Sequence, residues 1–406
     1  MKQKFIQSRN YLLLLLISIG ILWGCSSSQN DPTPTNQYLV SSSVVGEFTT
    51  AQLSARVDGA ALGSDNALVI GVVKGLIKNP IKVIKVVYNT KGVDGKAIQA
   101  SGLVIFPKTT ESVPLISQQH GTIADKNDAP SLYGTASEAY QLASIVASNG
   151  FIIACPDYIG YGASASLDHP YEHRETLAQA SLDMLRATKE LISQEKAAWS
   201  QKVMITGYSE GGFATMALQK KIEEQYPNEF NLVASSCGAG AYNKTAFMNY
   251  IINQKTHGIA QYNSLYIWVT MAYNSIYGLN RPASYYFNAP YAAEVASKGP
   301  QATIPVSINL AYADSFRNGI NNGTDTQYIT GVKDNDIFDW KPKTSTQLYH
   351  GTADQHVFYF NSETAAAAMK AKGATDVTLI TVQGTDHFST LPNYLLGTLT
   401  FFTSKK

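Results

Sequence analysis

The chain has 406 residues, 45% of them hydrophobic and 15% charged, with a formal net charge of +1. A charge so small and balanced gives no basis for a nucleic-acid partner or a strongly acidic one. The length suits one large α/β domain carrying an insertion, or two domains.

The N-terminus reads as a targeting segment. Lys2, Lys4 and Arg9 form a basic region ahead of an apolar stretch, residues 11–23, which is too short to span a bilayer. It ends in Leu22-Trp23-Gly24-Cys25, which resembles a bacterial lipobox. Residues 1–25 are then a lipoprotein signal peptide ending at a lipidated Cys25. Residues 26–40, rich in Ser, Thr, Asn and Pro, are a flexible tether. The expected product is exported and held to a membrane by an N-terminal lipid anchor. Ser26 stands where an inner-membrane retention Asp would be, which favours the outer membrane or cell surface. The alternative is an ordinary signal peptide cleaved nearby, with Cys25 incidental.

Past the tether, strand and helix patterns alternate. Residues 41–80 are ambiguous, with a short helix and an edge element over the sheet as the expectation. Runs at 81–89 and 97–106 bracket a Gly-containing turn and predict a hairpin. A short apolar strand at 113–118 leads to His120-Gly121-Thr122. A helix follows at 137–148, a strand at 151–155 and a long helix at 175–194. Next come a strand at 203–206, a helix at 213–224 and a strand at 232–237. From 241 to 341 strand runs vanish and aromatics crowd in, among them Tyr242, Phe247, Tyr250, Tyr266, Trp268 and Tyr273. Alternation resumes with a strand at 346–349, a helix at 362–372, a strand at 377–382 and a final helix from Leu391. Such alternation predicts a mostly parallel sheet of eight strands covered on both faces. Cys155 and Cys237 fall on strands separated by two others, about 14 Å apart at about 4.8 Å per step. That is beyond disulfide reach, so both are expected as buried free thiols.

Gly207-Tyr208-Ser209-Glu210-Gly211-Gly212 has the Gly-x-Ser-x-Gly pattern between a buried strand and a helix. In that context the pattern marks a sharp turn that lifts a nucleophilic serine, Ser209, clear of the sheet. The bland alternative is a Gly/Ser-rich surface turn. An acyl-transfer serine needs a base, and the base needs an orienting acid. Asp354 and His387 each follow a strand and complete the order Ser, acid, His. Asp386 is a competing acid, but it adjoins His387 and is poorly placed to accept from its ring. His356 is a competing base. Asp157 is expected to structure its loop, and Asp354 itself has the plainer reading of a turn or helix cap. The developing oxyanion needs preorganised donors. The Glu210 N–H is the first, and the second is expected from Thr122 or, next, Gly121. His120 orders that loop. His169 and His173 stand four apart but have Pro170 between them and no third ligand, so no metal site is expected. No cofactor motif is present.

Together these segments resemble the α/β-hydrolase superfamily and, within it, secretory lipases and related bacterial lipases and esterases. The resemblance rests on Gln119-His120-Gly121-Thr122, Pro156-Asp157-Tyr158-Ile159-Gly160-Tyr161-Gly162, His169-Pro170-Tyr171, the Ser209 turn, His350-Gly351-Thr352-Ala353-Asp354 and Asp386-His387, in order over residues 80–400. It implies an α/β-hydrolase fold with core segments 41–240 and 342–406 and a helical, aromatic-rich lid at 241–341. It also implies Ser209, Asp354 and His387 as the triad. His356-Val357-Phe358 departs from the Val-Pro often found after the acid, which bears on the pocket edge. The function this implies is hydrolysis of apolar acyl esters through an acyl-enzyme. Two alternatives stay open: an acetyl or feruloyl esterase acting on polysaccharide decorations, and a non-catalytic surface binding protein.

Overall fold

The computed structural model describes residues 36–59 and 67–406. The signal segment, Cys25 and the tether up to residue 35 lie outside the described residues. The elements run β1 (Leu39–Phe48), α1 (Thr50–Gly59), α2 (Ala67–Gly75), β2 (Ile81–Lys91), β3 (Ala97–Pro107), β4 (Val113–Gln119), α3 (Ser144–Ser148), β5 (Ile152–Pro156), α4 (Arg174–Glu195), β6 (Trp199–Tyr208), α5 (Glu210–Gln225) and β7 (Asn231–Gly238). A helical stretch follows: α6 (Lys244–Asn253), α7 (Ala260–Ile276), α8 (Ala283–Tyr286), α9 (Tyr291–Lys298), α10 (Ile308–Ala311), α11 (Asp314–Asn321) and α12 (Thr326–Asp334). The chain closes with β8 (Thr346–Gly351), α13 (Phe360–Ala371), β9 (Val377–Val382) and α14 (Leu391–Thr403).

Among the described residues the sheet has nine strands in the order β1-β2-β3-β5-β4-β6-β7-β8-β9. From β5 through β9 every pairing is parallel, whereas β1, β2 and β3 add antiparallel pairings at one edge. Eight of these strands are those expected from the sequence. The ninth, β1, lies in the ambiguous segment. Its Ser- and Val-rich residues are mostly exposed and it pairs on one side with β2, so no alternating apolar pattern announces it. The described parts of α1 and α2 account for the helical character of the same segment.

Both sheet faces are covered, as parallel strands with apolar side chains on both sides require. Leu182, Leu185 and Leu191 of α4 and Leu218 of α5 pack on Val86, Val104, Leu115 and Ile205. On the opposite face Ala147 of α3 and Phe402 of α14 pack with Val83, Ile105, Ile116 and Met204. Burying such a side chain stabilises by about 1.5–3 kcal/mol. Cys155 on β5 and Cys237 on β7 are buried free thiols with β4 and β6 between them.

The helices α6–α12 build a separate core in which aromatic rings pack among aliphatic side chains. Tyr286, Phe316 and Tyr328 form an edge-on cluster with centroids 5.0 and 5.1 Å apart about Phe316, and Phe287 stacks on Tyr312 at 5.1 Å. Buried tyrosine hydroxyls need partners. Tyr286 donates to Asn274 Oδ1 at 2.8 Å, and Tyr312 pairs with Thr270 Oγ1 at 3.1 Å.

Candidate active site

Ser209 sits between the last residue of β6 and the first of α5, with φ 60° and ψ −123°. A left-handed φ on a residue with a Cβ is strained, so its surroundings must fix it. The Ser209 amide donates to Gly238 O at the end of β7 (2.8 Å), and Phe213 N donates to Ser209 O (3.1 Å). Glycine is required on either side because the turn presses against the end of β4. A Cβ on Gly207 would lie 2.5 Å from Gln119 O, and one on Gly211 would lie 2.2 Å from the same atom.

The parallel strands bring their C-terminal ends to this edge. After β8, a tight loop carries Asp354, which is buried with an exposure of 4%. Its Oδ1 accepts from the amides of His356 (2.8 Å) and Val357 (2.9 Å). Its Oδ2 accepts from His387 Nδ1 at 2.7 Å, with His350 Nε2 at 3.2 Å. Burial alone would raise this carboxyl, but the His350 and His387 hydrogen bonds outweigh it and hold Asp354 well below the usual carboxylate range. With Nδ1 committed to Asp354, His387 keeps Nε2 for another group. The His387 loop is fastened to the serine turn by Tyr208, whose hydroxyl donates to His387 O at 2.6 Å and whose ring lies 5.2 Å from the imidazole. The structure thus joins Asp354 to His387 and ties the His387 loop to Tyr208, the residue before Ser209. Ser209 Oγ makes no hydrogen bond among the described residues.

The competing acids and the other loop histidines are otherwise engaged, whereas His356 is not. Asp386 accepts from the Phe388 and Ser389 amides and from Ser389 Oγ, away from the His387 ring. Asp157 accepts from Ser101 Oγ and from the Ser131 amide, holding the loop after β5. The ring nitrogens of His120 face Gly121 O and Asp157 O, which orders the neighbouring loop. His169 bonds to Ile159 O and to Glu210 Oε1 (2.6 Å), while His173 faces Thr176 Oγ1, so the two histidines serve different partners. His356 has neither ring nitrogen hydrogen-bonded and packs against Tyr262 and His387 at 4.5 and 4.4 Å. Burial first, then the charges of His387 and His257, push its pKa down to about 3, so the ring is neutral.

Two amides are expected from the sequence as the donors to an oxyanion at Ser209. The Glu210 N–H is the first amide of α5, where the helix dipole adds to it. Its carboxyl is turned inward to His169. The Thr122 N–H has no acceptor among the described residues, and Thr122 Oγ1 pairs with Tyr171 OH at 2.8 Å. Gly121, expected as the alternative donor, is not free: its amide donates to Glu138 Oε1 at 3.0 Å. Glu138 lies 17 residues further on, so no local pattern reveals that bond.

Ser209 opens into a pocket lined by Phe247, Met248, Ile251, Leu265, Val269 and Tyr273 from the helical stretch, with His356 and Val357 at one side. Sequence reasoning missed a polar feature there. Glu172 and Lys244 form an ion pair in the pocket wall, each side chain less than a tenth exposed. Burial raises Glu172 and lowers Lys244, and their mutual attraction opposes both shifts.

The sequence profile of the family described as secretory lipase matches residues 129–405. No curated protein matches the chain. Among solved structures, a Legionella pneumophila protein assigned as a hydrolase is similar with a TM-score of 0.79 at 24% identity, covering 91% of this chain and 98% of its own. The rice cell wall degrading esterase LipA from Xanthomonas oryzae gives 0.74 at 23%, covering 90% and 96%. Candida antarctica lipase A in its closed state gives 0.60 at 16%, covering 91% and 86%. The mostly parallel sheet flanked by helices is the α/β-hydrolase fold that these likenesses carry.

Proposed function

Since the chain belongs to the secretory lipase family, and is thereby a hydrolase of the lipase/esterase type, we propose that it cleaves carboxylic esters of apolar acyl groups through an acyl-enzyme on Ser209. The observation that carries the reading is the hydrogen bond from His387 Nδ1 to the buried Asp354, pinned beside a serine in a strained turn. In this scheme Ser209 Oγ attacks the ester carbonyl and passes its proton to His387 Nε2. Asp354 fixes the tautomer and stabilises the imidazolium. The tetrahedral oxyanion takes the amides of Glu210 and Thr122. His387 then protonates the departing alkoxide, and water, deprotonated by the same ring, releases the acid. The Ser209–His387 hydrogen bond forms as substrate binds.

Residues 241–341 act as a lid that supplies the acyl pocket. Burial of an acyl chain there, at about 25 cal/mol per Å², is the main source of affinity for long esters. A second reading, removal of acetyl or feruloyl groups from polysaccharides, is supported by the likeness to a plant cell wall degrading esterase and by the tyrosines in the pocket wall. A family of secretory lipases agrees with export, and we place the mature chain on a membrane through a lipidated Cys25. Among the described residues no helix is long and apolar enough to cross a membrane.

The test is hydrolysis of p-nitrophenyl esters from acetate to palmitate, with Ser209→Ala beside the parent. Ser209-dependent rates rising toward longer chains support the first reading, and rates confined to acetate favour the second. Equal rates in parent and variant on every ester overturn both and favour a binding protein.

A further inference from the structure

The polar pair in the acyl pocket is costly and specific. Taking two charges out of water costs several kcal/mol per ion, and an apolar pair of similar shape is often as stable or more so. Lys244 Nζ donates to Glu172 Oε2 and lies 4.4 Å from the Phe213 ring. Glu172 Oε1 accepts nothing from the described residues, although its partner oxygen is fully engaged. Glu172 also has a left-handed φ of 51°, a strained state for a side-chain-bearing residue. Its carbonyl is held there by Tyr273 OH at 3.0 Å. A strained backbone thus sets a charged pair, one acceptor still open, into the same pocket wall that receives Ser209.

From the open Glu172 oxygen beside Lys244 in the Ser209 pocket, we propose that the pocket recognises a hydroxyl group carried by the acyl part of the substrate. The inference rests on the acyl-enzyme reading above. A plain hydrocarbon leaves the pair without a partner. A carboxylate pairs with Lys244 only against the like charge of Glu172, and an ammonium pairs with Glu172 only against that of Lys244. A hydroxyl satisfies both, donating to Glu172 Oε1 while accepting from Lys244 Nζ. Hydrogen bonds to charged groups are the strong ones, and a site built for a hydroxyl rejects the analogue that lacks it. Two acyl classes carry such a group: hydroxylated aromatic acids, which suit walls containing Phe247 and Tyr273, and hydroxylated fatty acids.

The experiment compares kcat/KM within ester pairs that differ by one hydroxyl: methyl 4-hydroxycinnamate with methyl cinnamate, and methyl 12-hydroxydodecanoate with methyl dodecanoate. The parent is expected to favour the hydroxylated member of one pair by about tenfold or more. The responding pair names the acyl class. Glu172→Gln and the double variant Glu172→Met/Lys244→Met, which replaces the pair by apolar shape and guards against misfolding of the single variant, are expected to bring the ratio close to one. Parent ratios within about twofold of one in both pairs, or a preference that survives in the variants, overturn the proposal. Calorimetric titration of Ser209→Ala with 4-hydroxycinnamamide and cinnamamide, and with the corresponding dodecanamides, reads recognition without turnover. Tighter binding of one hydroxylated amide is expected, and equal affinities in both pairs overturn the proposal. An absence of Ser209-dependent hydrolysis would sink the acyl-enzyme reading alone and leave this titration to decide recognition.

Discussion

The sheet edge and the helical stretch α6–α12 contribute to one site by different physics. At the edge, each polar group is placed by backbone: the Ser209 amide on Gly238, Asp354 on two amides of its own loop, Glu210 at the start of α5. In the helical stretch the pocket is built by packing, with Phe247, Met248, Ile251 and Val269 presenting surface to Ser209. Hydrogen-bond geometry tolerates little displacement, whereas packed walls can change size while the fold survives. On the proposed mechanism, bond breaking belongs to the first region and choice of acyl group to the second.

The largest effect that sharpens this division is Ser209→Ala, expected to lower kcat on all esters alike by on the order of 10⁴- to 10⁶-fold, measured with p-nitrophenyl acetate and octanoate. Asp354→Asn follows, at roughly 10³- to 10⁴-fold in kcat with little change in KM. A chain-length-dependent loss in either variant would break the division.

Stability against pH probes the edge separately. Burial is the main influence that pushes the pKa of His356 down to about 3 and that of His173 down to about 4, from 6.5. A base depressed in the folded state binds its proton more readily when unfolded, so stability falls as pH drops below 6.5 and levels off near the folded values. Between pH 6.5 and 5 each histidine is expected to remove about 2 kcal/mol, read from urea unfolding. His356→Phe should flatten its share of that slope. Asp354 acts in the next window down: its lowered carboxyl stabilises above the ordinary Asp range, and the gain is lost as pH falls through the depressed value.

In the pocket, Val269→Trp is expected to cut kcat/KM for octanoate relative to acetate by about tenfold. An equal loss on both esters would show that the wall also positions the chemistry. The smallest effect is none: reductant should leave the melting temperature unchanged, because Cys155 and Cys237 are unpaired.

The strands β2–β9 were legible because each is a short apolar run closed by turn residues, and the serine turn because its glycines are demanded by contact with Gln119 O. Asp354 and His387 were found by order along the chain, since both follow strands that end at one edge. What escaped was non-local. β1 hides because one neighbour and solvent leave no apolar alternation. Gly121 looked free because Glu138, which takes its amide, is 17 residues away. Glu172 and Lys244 are 72 residues apart, and each alone reads as a surface charge.

The conformation of Ser209 carries a consequence for selection. A residue held at φ 60°, ψ −123° stores on the order of 1–3 kcal/mol that the surrounding hydrogen bonds must offset. Glycine takes that conformation without penalty, so Ser209→Gly should fold more tightly by about 1 kcal/mol while losing the hydroxyl. A survey of substitutions scored by folding alone would therefore discard the one atom on which the proposed chemistry depends. Its persistence in a stable scaffold would be the mark of selection for turnover rather than for robustness.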